Sequence, residues 1–196
     1  MRIIIASGNP HKIKEIQSLL FRAGVEWLTP ADAPGAPEPE ETGATFAENA
    51  AIKARALAAH AGCPALADDS GLEVDALDGA PGVRSARYAG RHGDDAANNR
   101  LLLEKLRGGR NRRARFRCAL ALAAPDGTIL ATAGGACEGT IATEARGASG
   151  FGYDPLFIPD GHTRTFAELG AEVKNRLSHR ARALEEAGRT WGLPAE

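Results

Sequence analysis

The chain has 196 residues, 43% of them hydrophobic, with a formal net charge of −1 and three cysteines. That length can bury most of its apolar surface in one domain without covalent staples, and the near-neutral balance argues against a protein that coats nucleic acid. Cys63, Cys118 and Cys137 are far apart and form no C-x-x-C pair, which argues against a disulfide framework or a thiolate zinc site and for reduced thiols in a cytoplasmic protein.

Residues 2–6 are a short β-branched run that reads as a buried strand. No charged segment backed by a long apolar stretch opens the chain, and no apolar run approaches ~18 residues. Neither a signal peptide nor a transmembrane helix is therefore expected. A polar turn over 7–11 leads to a helix over 12–23, with Ile13, Ile16 and Leu20 on one face. A loop rich in proline and acid spans 31–41. Thr45 and Glu48 form a capping box for a helix over 46–61. An apolar run ending at Ala67 meets Asp68-Asp69-Ser70-Gly71, which reads as a strand breaking into a turn, and 72–83 promise little regular structure. Asp94 or Asp95 caps a helix reaching Leu106. Residues 115–122 alternate, with Phe116, Cys118, Leu120 and Leu122 on one face. Asp126-Gly127 marks a hairpin, 128–133 the return strand and 138–144 a further strand. Strands alternate with helices, then form a hairpin run, and helices end the chain. That order suggests a mixed sheet flanked by helices, in a single domain over 1–196.

Five segments could carry chemistry. The carboxylates Asp68 and Asp69 can hold a divalent metal or activate a water, although Asp-Asp-Ser-Gly is also ordinary turn chemistry. Glu40-Glu41-Thr42-Gly43 can complete a magnesium site with Asp69, or be a solvated acidic loop. Ser7-Gly8-Asn9-Pro10-His11-Lys12 lies between strand and helix. There, helix N-terminal N–H groups, two polar side chains and the Lys12 charge suit a phosphate; a plain βα connection is equally short, and the Walker A pattern is absent. Gly150-Phe151-Gly152-Tyr153-Asp154-Pro155 sets two aromatics among glycines, fit for stacking a base or for entering a strand with two core rings.

The fifth segment is Lys174-Asn175-Arg176-Leu177-Ser178-His179-Arg180. One continuous helix would scatter its polar groups over different faces, so a break is expected, with Ser178 capping a new helix from His179. His179 and Arg180 then lie in a first turn, where the dipole does not favour cations. That placement suggests an anionic or carbonyl-bearing ligand; the alternative is a solvated basic face. Arg107, Arg110, Arg112 and Arg113 lack interleaved aromatics and read as solvated.

Taken in order, these segments resemble the inosine triphosphate pyrophosphatase family, enzymes that remove non-standard purine nucleoside triphosphates. The resemblance runs from Ile3 to about Leu184 and looks like the bacterial branch. It rests on the loop from Ser7 to Lys12, on Glu41-Thr42-Gly43 with Thr45-Phe46 and Glu48-Asn49-Ala50, and on Ala67-Asp68-Asp69-Ser70-Gly71-Leu72. It rests further on Gly79-Ala80-Pro81-Gly82 with Ser85-Ala86-Arg87-Tyr88, on Gly150 to Pro155, and on Lys174 leading to Ser178-His179-Arg180. It implies an elongated mixed sheet in two lobes with a central cleft, a homodimer, and a magnesium-dependent reaction that turns a triphosphate and water into a monophosphate and pyrophosphate.

By the same resemblance, Ser7, Gly8, Asn9, Pro10, His11 and Lys12 hold phosphates, and Asp69 is metal ligand and general base. Ser70 assists binding, Phe151, Gly152, Tyr153 and Asp154 contact the nucleoside, and Lys174, His179 and Arg180 read the base. Glu40 is the first choice for the second metal carboxylate, with Glu41 next. Ser7 stands where the family more often has threonine, which keeps the hydroxyl. Two other readings fit the same residues. One is a nucleotide-sensing or RNA-binding module without catalysis, and the other is a pyrophosphatase for other modified nucleotides.

Overall fold

The computed structural model describes residues 1–20 and 24–192. Its six strands lie in the order β2-β1-β3-β4-β5-β6. They are β1 (Arg2–Ala6), β2 (Glu26–Leu28), β3 (Ala65–Val74), β4 (Arg113–Ala123), β5 (Ile129–Ile141) and β6 (Phe157–Pro159). β1 pairs in parallel with both β2 and β3, whereas β5 and β6 are antiparallel, so the sheet is mixed as expected. Among the described residues five α-helices accompany it: α1 (Pro10–Leu19), α2 (Phe46–Ala61), α3 (Asp95–Lys105), α4 (Phe166–Leu177) and α5 (His179–Thr190).

The chain forms two compact units. The first comprises Met1–Asp69, Cys118–Gly135 and Arg182–Glu196. Strand alternation gives it two cores. On one face Ile3 and Ile5, Leu66, and Cys118, Leu120 and Leu122 pack with Ile16 and Leu20 and with Ala183, Leu184 and Ala187. On the other face Ile4, Ala6, Ala65, Ala67 and Ala121 meet Ala50, Ala54, Leu57 and Ala58 of α2. A run of three isoleucines in β1 is what burial on both faces requires.

The second unit comprises Ser70–Arg117 and Ala136–Ala181. Its core joins Leu72, Val74, Phe116 and Ile141 of the strands to Leu102 and Leu106, Tyr153, Phe157 and Phe166. Phe116 packs 4.7 Å from Phe157, and Phe157 lies 5.4 Å from Phe166. Gly139 is required where β5 meets β6, because a Cβ there would stand 2.3 Å from the Ile158 carbonyl oxygen.

Several elements differ from the sequence expectation. β3 does not break at Asp68 but continues through Ser70 and Gly71 to Val74. Its polar side chains are held there by partners from distant elements, which overrides their low strand propensity. β5 is one strand of 13 residues rather than two, since Gly134-Gly135 does not interrupt it; the Gly134 N–H donates to the Glu186 carboxylate at 2.7 Å. α1 starts at Pro10, with proline in the first turn, and the expected stretch over 21–23 lies outside the described residues. No local signal marks β2, and α4 is the helix before the Ser178 break, which the sequence leaves without bounds. The break at Ser178 is present: Ser178 ends α4 in an extended conformation and its hydroxyl accepts from the Ala181 N–H at 3.1 Å.

Candidate active site

In the first unit, β3 delivers its two carboxylates to opposite faces. Leu66 and Asp68 share the side that packs on α1, while Ala67 and Asp69 share the side that packs on α2. Asp68 is fully buried and takes the Lys12 ammonium at 2.5 Å. Its other oxygen accepts from the Cys118 thiol at 2.9 Å. Asp69 Oδ1 takes the Lys53 ammonium at 2.8 Å, and the same ammonium lies 3.0 Å from Glu41. Burial pushes the Asp69 carboxyl above the usual carboxylate range, with Lys53 opposing. Burial also works against the charged form of Lys53, but the carboxylates of Asp69, Glu41 and Asp68 together outweigh it and the net shift is upward.

A divalent cation fits this corner. Asp69 Oδ2 is buried and has no hydrogen-bond partner among the described residues. A buried carboxylate oxygen left open beside a second, half-buried carboxylate is a hard-oxygen donor set. The second carboxylate is Glu41, which shares Lys53 with Asp69; Glu40, ranked first on sequence, is exposed. The turn before α2 that carries Glu41 is set by Asn49, whose side-chain oxygen accepts from the Gly43 N–H at 2.8 Å. A Cβ on Gly43 would lie 2.6 Å from that oxygen, so this turn needs glycine.

The βα loop differs from the sequence picture in one respect. Asn9 caps α1 with its own side chain, accepting from the N–H groups of His11 at 2.9 Å and Lys12 at 3.3 Å, while Ser7 accepts from the Asn9 N–H at 3.2 Å. Two of the amides expected to face an anion are thus engaged, and Pro10 has none. Gly8, Pro10 and His11 are exposed.

In the second unit, Arg180 is 1% exposed and donates to the Ser70 hydroxyl at 2.9 Å. His179, equally enclosed, stacks on Phe116 with ring centroids 4.7 Å apart. Lys174 is buried, donates to Asp154 at 2.6 Å and stands 4.1 Å above the centre of the Phe151 ring. The same Asp154 oxygen accepts from the Phe151 N–H at 2.9 Å, so one carboxylate fixes both the ring and the cation over it. Tyr153 goes elsewhere: its side chain belongs to the core, and its hydroxyl donates to the Ser85 carbonyl at 2.9 Å.

The sequence singled out Ser7, Asn9, Lys12, Asp69, Ser70, Phe151, Asp154, Lys174, His179 and Arg180, and each engages in such a cluster. It missed Lys53, which no local motif marks; the signal was a lysine four residues after Asn49 on one helix face. It also missed the Cys118–Asp68 contact, for which only the alternation of β4 gave a hint.

A mixed sheet carrying a buried carboxylate–lysine corner beside a polar βα loop defines an α/β enzyme. A model of the Ham1 family matches residues 3–189. The chain is 56% identical over 186 residues to a dITP/XTP pyrophosphatase of Exiguobacterium sp. strain AT1b, covering 95% of this chain and 94% of that one. It is 52% identical over 189 residues to a dITP/XTP pyrophosphatase of Desulforamulus reducens, covering 95% and 94%. A solved Ham1 protein from Coxiella burnetii superposes with a TM-score of 0.88 at 44% identity, covering 96% of each chain. The chain belongs to the Ham1 family.

Proposed function

We propose that this protein hydrolyses non-standard purine nucleoside triphosphates, dITP, XTP and ITP, to the monophosphate and pyrophosphate, with Mg2+ as the cofactor. The observation that carries the reading is Asp69: a buried carboxylate with one oxygen on Lys53 and the other open, in a chain more than half identical to named dITP/XTP pyrophosphatases. Magnesium held by Asp69 and Glu41, the latter in preference to Glu40, would neutralise charge at the α-phosphate.

The remaining work falls to the chain's own residues. Asp69, made more basic by burial, accepts a proton from the attacking water. Lys12, Ser7 and Asn9, with Gly8, Pro10 and His11 around them, take the phosphate tail, Lys12 dividing its charge between phosphate and Asp68. Ser70 assists under Arg180. Phe151, with the turn formed by Gly152, Tyr153 and Asp154, takes the nucleoside, and Lys174, His179 and Arg180 read the base. Hypoxanthine and xanthine carry an oxygen at the 6-position that accepts from such donors, whereas adenine carries an amino group that cannot.

The decisive assay incubates the protein with magnesium and a panel of triphosphates and identifies the first product. Pyrophosphate and monophosphate from ITP and XTP, with ATP far behind, are expected. Nucleoside diphosphate as the first product would overturn the reading, and binding without turnover would favour a nucleotide sensor. We also propose that the whole chain works as one domain and as a homodimer in the cytoplasm; light scattering on the purified protein tests the dimer. Among the described residues no helix is long and apolar enough to cross a membrane.

A further inference from the structure

The segment Gly150-Phe151-Gly152-Tyr153 contains two glycines with left-handed backbone, φ 81° at Gly150 and 60° at Gly152. A segment so rich in glycine loses much conformational freedom when it adopts one shape. α3 supplies the restraint. Asp95 and Asn99 stand one turn apart on the same face of that helix. The Gly152 N–H donates to Asp95 Oδ2 at 2.6 Å, and Asn99 Nδ2 donates to the Gly152 carbonyl at 3.0 Å. One residue is thus held by both its backbone groups, from one helix. The bond to Asp95 is charge-assisted, and an acid in the first turn of a helix is favoured by the dipole. The Asn99 amide orientation is fixed as well, since only its NH2 group can meet a carbonyl.

On Gly152 these contacts touch backbone only. Neither residue belongs to the motifs by which the site was read. We infer that Asp95 and Asn99 are positioning residues that hold Gly152 so that Phe151 presents its ring to the nucleoside, and that they set nucleoside affinity rather than turnover. The inference rests on the proposed role of the 151–154 turn in nucleoside contact.

The test measures KM and kcat for ITP in the magnesium-loaded enzyme, thermal stability, and hydrogen exchange of the Gly152 amide. The variants are D95A, D95N, N99A, N99D and, as the check on the underlying reading, F151A. D95A, N99A and N99D should raise KM about tenfold, the equivalent of losing one good hydrogen bond. Their kcat should change by less than about threefold, and Gly152 should exchange faster in D95A. D95N keeps an acceptor for Gly152 and should restore most of the affinity; N99D replaces the donor at constant shape and should not. If D95A fails to fold, N99D and D95N carry the comparison. Wild-type KM in N99A and N99D alongside a raised KM in F151A would overturn the clamp alone. Unchanged KM in F151A would overturn the nucleoside reading and the inference with it. D95N as damaged as D95A would assign the effect to helix charge and overturn positioning.

Discussion

Lys53 Nζ lies 2.8 Å from Asp69 Oδ1 and holds Glu41 at 3.0 Å with the same ammonium. Asp69→Asn removes the proposed base and one anionic donor while leaving Lys53 its bond to Glu41. Turnover of ITP should fall by ~10²-fold or more, with little loss of thermal stability. A steep drop in melting temperature would mean that Asp69 serves the fold instead.

Asp68 should behave in the opposite way. Its carboxylate is buried, with Lys12 on one oxygen and Cys118 on the other. Breaking a buried ion pair costs about 3–5 kcal/mol, and Lys12, whose side chain keeps 16% exposure, brings the loss to the lower end of that range. Asp68→Asn should therefore lower stability and raise KM through a misplaced Lys12, and should cut kcat less than Asp69→Asn. Denaturant unfolding and steady-state kinetics on both variants check this. Equal losses in kcat would show that the two carboxylates have been assigned wrongly.

Arg180→Ala should compress base selectivity. A donor facing the adenine amino group leaves buried donors unpaired, at ~1–3 kcal/mol per group, and sites of this kind discriminate by up to ~10⁴-fold. The variant loses its bond to Ser70 as well, so absolute rates fall on every substrate. The measurement is the ratio of kcat/KM for ITP over ATP, which should shrink. An unchanged ratio would place base reading on other side chains.

Tyr153 makes a prediction about alkaline stability. Burial raises its hydroxyl well above the ordinary tyrosine value. The unfolded chain loses that proton from about pH 10 upward, while the folded chain keeps it. The contribution is complete below about pH 10 and is lost as pH climbs toward the folded value. Tyr153→Phe should flatten the decline of melting temperature above pH 10, and should cost about 0.5–1.5 kcal/mol at neutral pH through the lost bond to Ser85. Identical alkaline slopes for the two proteins would refute the assignment.

Elements whose signals are local were legible without the structure. β1 follows from three consecutive isoleucines, α2 from the reciprocal bonds of Thr45 and Glu48, and the α4–α5 break from Ser178, because hydrophobic runs and caps act within a few residues. The segments of the candidate site were legible too, because their order along the chain resembles one family. What tertiary structure alone decided depends on partners far away in sequence. β3 stays extended through Asp68, Asp69 and Ser70 because Lys12, Lys53 and Arg180 meet them there, and that last pair is 110 residues apart. Glu41 rather than Glu40 sits by Asp69 because Lys53 of α2 reaches both carboxylates. Tyr153 joins the core while Phe151 lies under Lys174, because the turn between them is gripped at Gly152 from α3. Each of these is an ion pair, hydrogen bond or ring contact closed across a long loop, and no window of the sequence contains both ends.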